Sequence, residues 1–297
     1  MSLVIPGLTA PATTDLPVLL AAPKPKPVPE NLRFSHWLGN IPIWVPLAIF
    51  MILLVWPVYG FGQDTSEGPI TPIQALVRWM PFLLTQGFVF TILISIMTMV
   101  VGTVLGVLLG LGQISLLRPV RIASYWITQI FRNSPWLVLL FIVMLSFPFQ
   151  ITIFGVLIPI PDWTKAVFGL SLPIMANISE IVRGAIASVP SAQWEASESL
   201  AFSRRQTLFQ IILPQCIKRM IPPWMNWYAI LTMATPIVSI LGVEEVLNLT
   251  RQAIEAENNR PELLVPFYGF VLLIFFIYCY PIARLTLWLE RRYALKL

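Results

Sequence analysis

Long apolar stretches alternate with short polar segments along most of the chain, and six of the apolar stretches reach the roughly 20 residues that a helix needs to cross a bilayer. Their residues are continuously apolar, which favours membrane helices over the alternating strands of a β-barrel. The pattern therefore predicts an all-α membrane protein with six transmembrane helices. The predicted spans are residues 41–60, 82–112, 123–147, 166–189, 220–242 and 263–289.

Two segments between these spans differ from the rest. Residues 151–161 are apolar but too short to span, and they contain Pro159 and Pro161, so we expect an outer loop or a re-entrant segment. Residues 190–214 are polar instead and lie between the fourth and fifth predicted spans.

Composition and charge support this interpretation. Of the 297 residues, 57% are hydrophobic and 11% are charged, and the mean hydropathy is +0.79. When the N-terminus is placed in the cytoplasm, 15 of the 19 Lys and Arg residues fall on the inner side, in keeping with the positive-inside rule. We therefore predict a cytoplasmic N-terminus. The excess of basic residues is explained by attraction to the anionic lipids of the inner leaflet, and it gives no reason to infer a nucleic-acid partner.

The chain divides into three parts. Residues 1–35 are rich in Pro, Ala and Thr, a composition that predicts a disordered cytoplasmic tail. Residues 36–81 contain an extra N-terminal span and an outer loop, and residues 82–293 form the core. Both cysteines are expected to remain free thiols, and the single histidine, His36, lacks the partners that a metal site needs.

The second span carries a stripe of small residues, Gly102, Gly106 and Gly110. A small residue at every fourth position lets another helix backbone approach closely, so we predict a helix-packing surface, with the lining of a permeation path as the alternative.

The polar segment carries signals for two short helices. Ser191 is placed to cap a helix that runs to Ala201, and Ser203 with Gln206 three residues later is a capping-box pattern that opens a second helix. Pro214 is expected to end that second helix. We call this segment the elbow. It predicts a rigid protrusion that receives force from a soluble cytoplasmic partner, with an interfacial amphipathic linker as the alternative.

Several motifs in order along the chain resemble those of the permease subunits of bacterial ATP-binding-cassette (ABC) importers, in the polar amino-acid uptake family. QWEASESLAFSRRQTLFQIILPQ at residues 193–215 resembles the cytoplasmic coupling loop, or EAA motif. FRNSP at 131–135 is similar to the FRGTP segment, EIVRGAI at 180–186 to EIFRGAI, and residues 287–293 to the basic exit. The resemblance covers roughly residues 82–293.

This resemblance implies a type I ABC importer transmembrane domain in the bacterial inner membrane. The elbow would enter a groove on an ATP-binding cassette subunit, and a periplasmic binding protein would dock near the acidic outer residues 244–262, otherwise a solvated loop. The phosphate-binding pattern G-x-x-x-x-G-K-[ST] does not occur, so ATP and Mg²⁺ are expected on partner subunits and the chain is expected to have no enzyme activity or cofactor of its own. The expected coupling residues are Trp194, Glu195, Ala196, Ser199, Leu200, Ala201, Phe202 and Ser203.

Three departures from the family pattern affect the interpretation. Ala201 stands where the family has Gly, which should stiffen the turn. Residues 233–236 (MATP) replace Lys-Asp-Thr-Ser, and 173–177 (PIMAN) replace Asn-Ser-Gly-Ala-Tyr, so polar groups are lost from positions inside the membrane. Because a zwitterion needs polar partners there, we predict that a second, non-identical permease supplies most substrate contacts. A homodimer, in which the losses have no consequence for binding, is the alternative.

Four residues near the inner face are candidates for a gate or clasp. Glu180 and Arg183 lie one helical turn apart and can neutralise each other, which favours a structural clasp. Arg132 and Asn133 precede Pro135 and could bound an inner gate, with interfacial snorkelling as the alternative.

Prolines inside the spans indicate candidate positions on a translocation path. Bent or broken helices expose backbone groups that often line a path at the midplane. Hydrogen bonding between helices is the alternative for the polar side chains nearby. The prolines are Pro173, Pro222, Pro223 and Pro236, and the candidate side chains are Asn177, Thr232, Thr235 and Ser239.

Two other functions remain open at this point. A secondary transporter or channel driven by an ion gradient would need acidic residues inside the membrane, and Glu180 is the only one in the predicted spans. A scaffold or sensor that does not transport could use the elbow to recruit a cytoplasmic partner.

Overall fold

The computed structural model describes residues 71–153 and 156–293, most of which are helical. The elements in chain order are α1 (Pro72–Gln113), α2 (Arg118–Arg132), α3 (Trp136–Ser146), β1 (Gln150–Ile153), β2 (Val156–Pro159), α4 (Asp162–Ala187), α5 (Ser191–Ser199), α6 (Arg204–Leu241), α7 (Val246–Ala256) and α8 (Leu264–Tyr293).

Helices α1, α4, α6 and α8 are long and apolar enough to cross a membrane, and the α2–α3 pair adds a fifth crossing if it forms one span. This confirms the predicted class of helical membrane protein. The tail of residues 1–35 and the span of residues 41–60 lie outside the described residues. The six-span count and the cytoplasmic N-terminus therefore stay predictions.

Helix α1 begins ten residues before the predicted second span. Thr71 caps it through a capping box with Gln74, and Pro72 occupies the first helical position, where its missing N–H has no intrahelical partner to lose. The sequence interpretation placed residues 72–81 in an outer loop, and this is wrong. Residues Leu83–Phe88 form a π-helical segment inside α1.

The third predicted span, residues 123–147, is not one continuous helix. Its residues fall in α2 and α3, whose axes differ by 104°. Asn133 ends α2 and Pro135 precedes α3 in an extended conformation. Since the residue before a proline is disfavoured in a helical conformation, the chain turns at the polar residues Asn133 and Ser134.

Residues 151–161 contain most of an antiparallel hairpin, in which β1 and β2 pair from Gln150 with Pro159 to Ile153 with Val156.

The fully buried Lys165 of α4 holds the start of this hairpin in place, because its ammonium lies 3.9 Å from the centre of the Phe149 ring. It also contacts the Asp162 carboxylate at 3.1 Å.

Helix α4 is the most buried of the long helices, and α1 packs along it. The glycine stripe makes this approach possible. A Cβ at Gly102 would lie 2.6 Å from Cγ2 of Ile174, and one at Gly106 would lie 2.7 Å from Cβ of Ile178; Gly110 is equally close to α4. Real Cβ atoms do not tolerate such distances, so the predicted packing surface is confirmed.

A buried polar cluster joins the C-terminal end of α1 to α2 and α4. The amide of Gln113 donates to the hydroxyls of Thr128 at 3.0 Å and Ser179 at 3.1 Å, and the two hydroxyls lie 2.9 Å apart. These bonds satisfy the two hydroxyls and the Gln113 amide nitrogen, which would otherwise be costly in an apolar interior, whereas the Gln113 Oε1 atom has no hydrogen-bond partner among the described residues.

Helix α6 is bonded to both α1 and α8. The Trp224 indole donates to the Thr103 hydroxyl at 2.8 Å, and the hydroxyls of Tyr228 and Tyr278 lie 2.7 Å apart. These contacts fix the position of α6 relative to α1 and α8.

A buried carboxylate caps α7. One oxygen of Glu245 accepts from the backbone N–H groups of Leu247 at 2.8 Å and Asn248 at 3.1 Å, and the other accepts from the Thr91 hydroxyl at 3.2 Å. Glu245 is fully buried. The expectation of a solvated loop over residues 244–262 is therefore wrong for this capped helix.

The protonation state of Glu245 should make stability depend on pH. Burial raises the pKa of its carboxyl from an ordinary value of 4.5 to about 7, although the hydrogen-bond donors oppose the shift. The folded protein thus retains a proton that the unfolded chain loses above about pH 4.5. The free energy of unfolding should fall as pH rises from there to about 7, by an amount on the order of 3 kcal/mol.

We predict that Glu245→Gln removes this dependence, because an amide keeps the same shape and cannot ionise. Thermal unfolding of both proteins in detergent between pH 5 and 8 measures it. The stability of the wild type relative to the variant should decrease as pH rises. A difference that stays constant over this range would contradict the assignment.

Candidate functional site

The first helix of the elbow is α5. Its N-terminal end has no side-chain cap, and backbone hydrogen bonds close its C-terminal end. Pro190 occupies the N-cap position and Ser191 is the first helical residue, so the predicted capping by Ser191 is wrong. At the other end, the N–H of Phe202 bonds to the Ser197 carbonyl at 3.1 Å, and Ala201 has a φ of 57°. This is a Schellman motif, in which the left-handed position normally holds Gly.

The second helix of the elbow begins as predicted. The Ser203 N–H donates to the Gln206 side chain at 2.9 Å, and the reciprocal bond is 3.4 Å long, so the capping box is confirmed. Pro214, however, does not end the helix, and α6 continues from Arg204 to Leu241. Residues Thr207–Ile212 are π-helical, and Pro214 lies in the first turn of the α-helical part that follows, where a proline is tolerated.

Buried side chains anchor the elbow to the bundle. Ser197 and Thr207 are each 2% exposed, and the rings of Trp194 and Phe202 are half-buried. Trp194 packs against the main hydrophobic core. The exposed tip of the elbow is therefore held in place by side chains that are themselves packed.

The other predicted coupling residues form an exposed surface. Leu200, at the end of α5, has a large apolar side chain that is 71% exposed. Such a surface can be buried by a protein partner. Its exposed members are Glu195, Ala196, Ser199, Leu200, Ala201 and Ser203.

The structure brings three of the four gate or clasp candidates together. The Glu180 carboxylate lies 2.7 Å from Arg183 and 3.8 Å from Arg132, which links α4 to α2. Asn133 instead donates to the Gln129 carbonyl of its own helix at 2.7 Å. The arrangement is consistent with a clasp. A gating role for any of these residues stays a prediction.

A second link at this end was missed by sequence reasoning. The Arg219 guanidinium of α6 donates to the backbone carbonyl and the hydroxyl of Ser188, both at 2.7 Å. The two residues are 31 positions apart, and no local pattern indicates their pairing. This contact joins the α4 end next to the elbow directly to α6.

The four candidate path residues are all buried, and each side chain bonds to a carbonyl of its own helix. Helical structure also continues through Pro173, Pro222 and Pro223. A role in translocation stays a prediction. The acceptors are the carbonyl of Pro173 for Asn177, Tyr228 for Thr232, Leu231 for Thr235 and Pro236 for Ser239, at 2.7–2.9 Å.

A cavity of about 650 Å³ lies at the opposite end of α4 from the elbow, and no local sequence pattern indicates it. Residues of α1, the start of α4 and the segment around Gly242 line it. Its polar groups include the carboxylates of Asp162 and Glu244, and its aromatic walls include Phe90 and Trp163. In the part of the chain that the structure describes, no group of three or more His, Cys, Asp or Glu side chains could hold a metal ion.

Comparisons with known proteins agree with this architecture. Residues 102–295 match the family described as binding-protein-dependent transport system inner membrane component. The chain is 34% identical over 212 residues to the L-cystine transport system permease protein TcyB of Bacillus subtilis (strain 168), covering 71% of this chain and 86% of that protein. It is 32% identical over 209 residues to the arginine transport system permease protein ArtQ of the same organism, covering 69% and 92%.

Solved structures show the same fold. An amino acid ABC transporter determined with histidines matches with a TM-score of 0.63 and 23% identity, over 76% of this chain and 100% of that chain. An inward-facing MetNI methionine ABC transporter matches with a TM-score of 0.55 and 18% identity, over 72% and 97%. With the matched family and relatives, these likenesses establish that the chain belongs to the family of binding-protein-dependent transport system inner membrane components.

Proposed function

We propose that this chain is the permease subunit of an ATP-driven importer that carries an amino acid across the bacterial inner membrane. The observation that carries the proposal is the elbow, a fixed protrusion with an exposed Leu200 at its tip. Membership of the family and relatives named for cystine and arginine transport support the amino-acid substrate.

The continuity of α6 explains how force would reach the membrane. Its 38 residues run from the elbow through the membrane domain, a length of about 57 Å for an ideal helix. A cassette that binds the tip would therefore move a rod rather than a flexible linker. The Arg219–Ser188 contact would carry the same displacement to α4.

ATP and Mg²⁺ would bind the cassette subunits, which perform the hydrolysis. A periplasmic binding protein would deliver the substrate at the acidic segment 244–262. The competing function of an ion-coupled transporter gains no support, because the acid inside the predicted spans, Glu180, is paired with Arg183 at 2.7 Å.

A second, non-identical permease would complete the path. The polar groups of Asn177, Thr232, Thr235 and Ser239 already donate to backbone carbonyls of their own helices. This chain therefore offers few free donors to a zwitterion at the midplane, and a partner permease would supply them.

We predict that Glu195→Arg lowers ATP-dependent uptake at least tenfold in vesicles that contain the whole assembly, because a bulky opposite charge alters the exposed tip. The protein should remain in the membrane, since Glu195 is exposed. Glu290→Arg, at an exposed carboxylate near the C-terminal end of α8 and outside the elbow segment, is the matched control and should retain uptake. Full uptake by the Glu195→Arg assembly would refute the coupling role.

Affinity purification from the native membrane followed by mass spectrometry tests the subunit composition. We expect cassette subunits and a second permease of different sequence in stable stoichiometry. If this chain and cassette subunits alone give functional transport with the binding protein, the heteromeric arrangement is wrong and a homodimer replaces it.

We predict that Ala201→Gly raises stability by about 1 kcal/mol, because a left-handed conformation is costly for a residue with a Cβ. The same change at Ala196, inside α5, should lower stability by about 1 kcal/mol. Thermal unfolding of the two variants in detergent measures both effects. A loss of stability for both substitutions would show that the tip is not strained at Ala201.

A further inference from the structure

We propose that the cavity at the end of α4 far from the elbow binds the positively charged side chain of a cationic amino acid, with the carboxylates of Glu244 and Asp162 as its partners. This inference rests on the proposed function and adds the class of substrate. Neither the match to the family nor the structure of the elbow indicates a ligand for this cavity.

The position of the cavity suits substrate entry. Asp162 and Trp163 begin α4, whose other end leads into the elbow, and the 26 residues between correspond to about 39 Å of ideal helix. The cavity is therefore separated from the coupling surface by approximately the thickness of a membrane. A substrate that enters on the side opposite the cassettes would meet it first.

The charge of the cavity favours a cation. Glu244 is exposed and Asp162 has a side chain that is 46% exposed, so both carboxylates can reach a ligand. Among the described residues that line the cavity, none is Lys or Arg. The nearby Lys165 occupies one Asp162 oxygen from a fully buried position, which leaves a net negative wall.

The aromatic walls favour the same class of ligand. The rings of Phe90 and Trp163 lie 6.4 Å apart in an edge-to-face arrangement, and Phe82 contributes a third ring. Aromatic faces attract ammonium and guanidinium groups and provide apolar contact for the methylene stem. An acidic side chain would be repelled by the net negative wall, and a neutral one would gain no charge attraction from it.

The shape of α1 contributes two further polar groups. Thr85 and Gln86 lie in the π-helical segment and line the cavity. A π-helical turn places more residues around the helix axis than an α-turn and is frequent at functional sites. The volume of about 650 Å³ lies within the range of small-molecule sites.

Uptake by the reconstituted assembly, with its binding protein, tests the inference. Arginine and lysine are compared with their neutral counterparts citrulline and norleucine. The wild type should transport at least one cationic amino acid more than about tenfold faster than its neutral counterpart at limiting concentration, as kcat/KM. Because the binding protein is identical in every sample, a change in this ratio on mutation arises in the permease.

Glu244→Gln should lower kcat/KM for the cationic substrate about fivefold, equivalent to roughly 1 kcal/mol, through an increase in KM. Uptake of the neutral counterpart should stay within about twofold. Glu290→Gln, at an exposed carboxylate near the end of α8 and outside the cavity, is the matched control and should leave both unchanged. Asp162 is less suitable because it also holds Lys165 at 3.1 Å.

Three results would overturn the inference, and they are distinguishable. ATP-dependent uptake of neutral or acidic amino acids in preference to cationic ones would leave the proposed function intact and remove the cationic site. An equal loss for all substrates in Glu244→Gln, with weaker retention of the binding protein, would make the cavity a docking surface. Absence of ATP-dependent uptake of any amino acid would remove the proposed function as well.

Discussion

The close approach of α1 and α4 along the glycine stripe is the constraint on which the rest of the structure depends. Side chains at Gly102 or Gly106 would meet Ile174 or Ile178 at less than 3 Å. Without this contact, α4 would not occupy the centre of the bundle. Since lipid tails are as apolar as the side chains, close van der Waals packing of this kind replaces the hydrophobic effect in holding membrane helices together.

The central position of α4 places the cavity and the elbow, the two proposed functional regions, at opposite ends of one helix. Its first residues line the cavity, and its last turns carry the clasp formed by Glu180, Arg183 and Arg132. The elbow follows immediately, and α6 returns from it as a continuous helix. Motion at the elbow would therefore reach the cavity through two rigid helices whose relative positions are fixed by specific contacts.

Patterns that act within one helical turn or along one helix face were predictable from the sequence. The capping box of Ser203 and Gln206 and the spacing of the glycines belong to this class, because both involve residues three or four positions apart. The length of the apolar stretches also identified α1, α4, α6 and α8 as spans, although several of these helices begin or end at residues other than those predicted.

Changes in the direction of the chain, and contacts between residues far apart in the sequence, were not predictable. Apolar length alone does not register the 104° turn between α2 and α3, because the polar residues 132–134 are too few to divide the predicted span of residues 123–147. The passage of α6 through Pro214 depends on the π-helical segment before it, which has no sequence signature comparable to a cap. Glu245 looked like a solvated acid because Thr91, which bonds it, lies 154 positions away.

The most direct measurement of the central claim is an experimental structure of the assembled transporter with its ATP-binding subunits. We predict that the Leu200 side chain, 71% exposed in this chain alone, becomes buried in a groove of a cassette subunit, with Glu195 and Ser199 at the same contact. An assembly in which the tip of the elbow remains in solvent would contradict it.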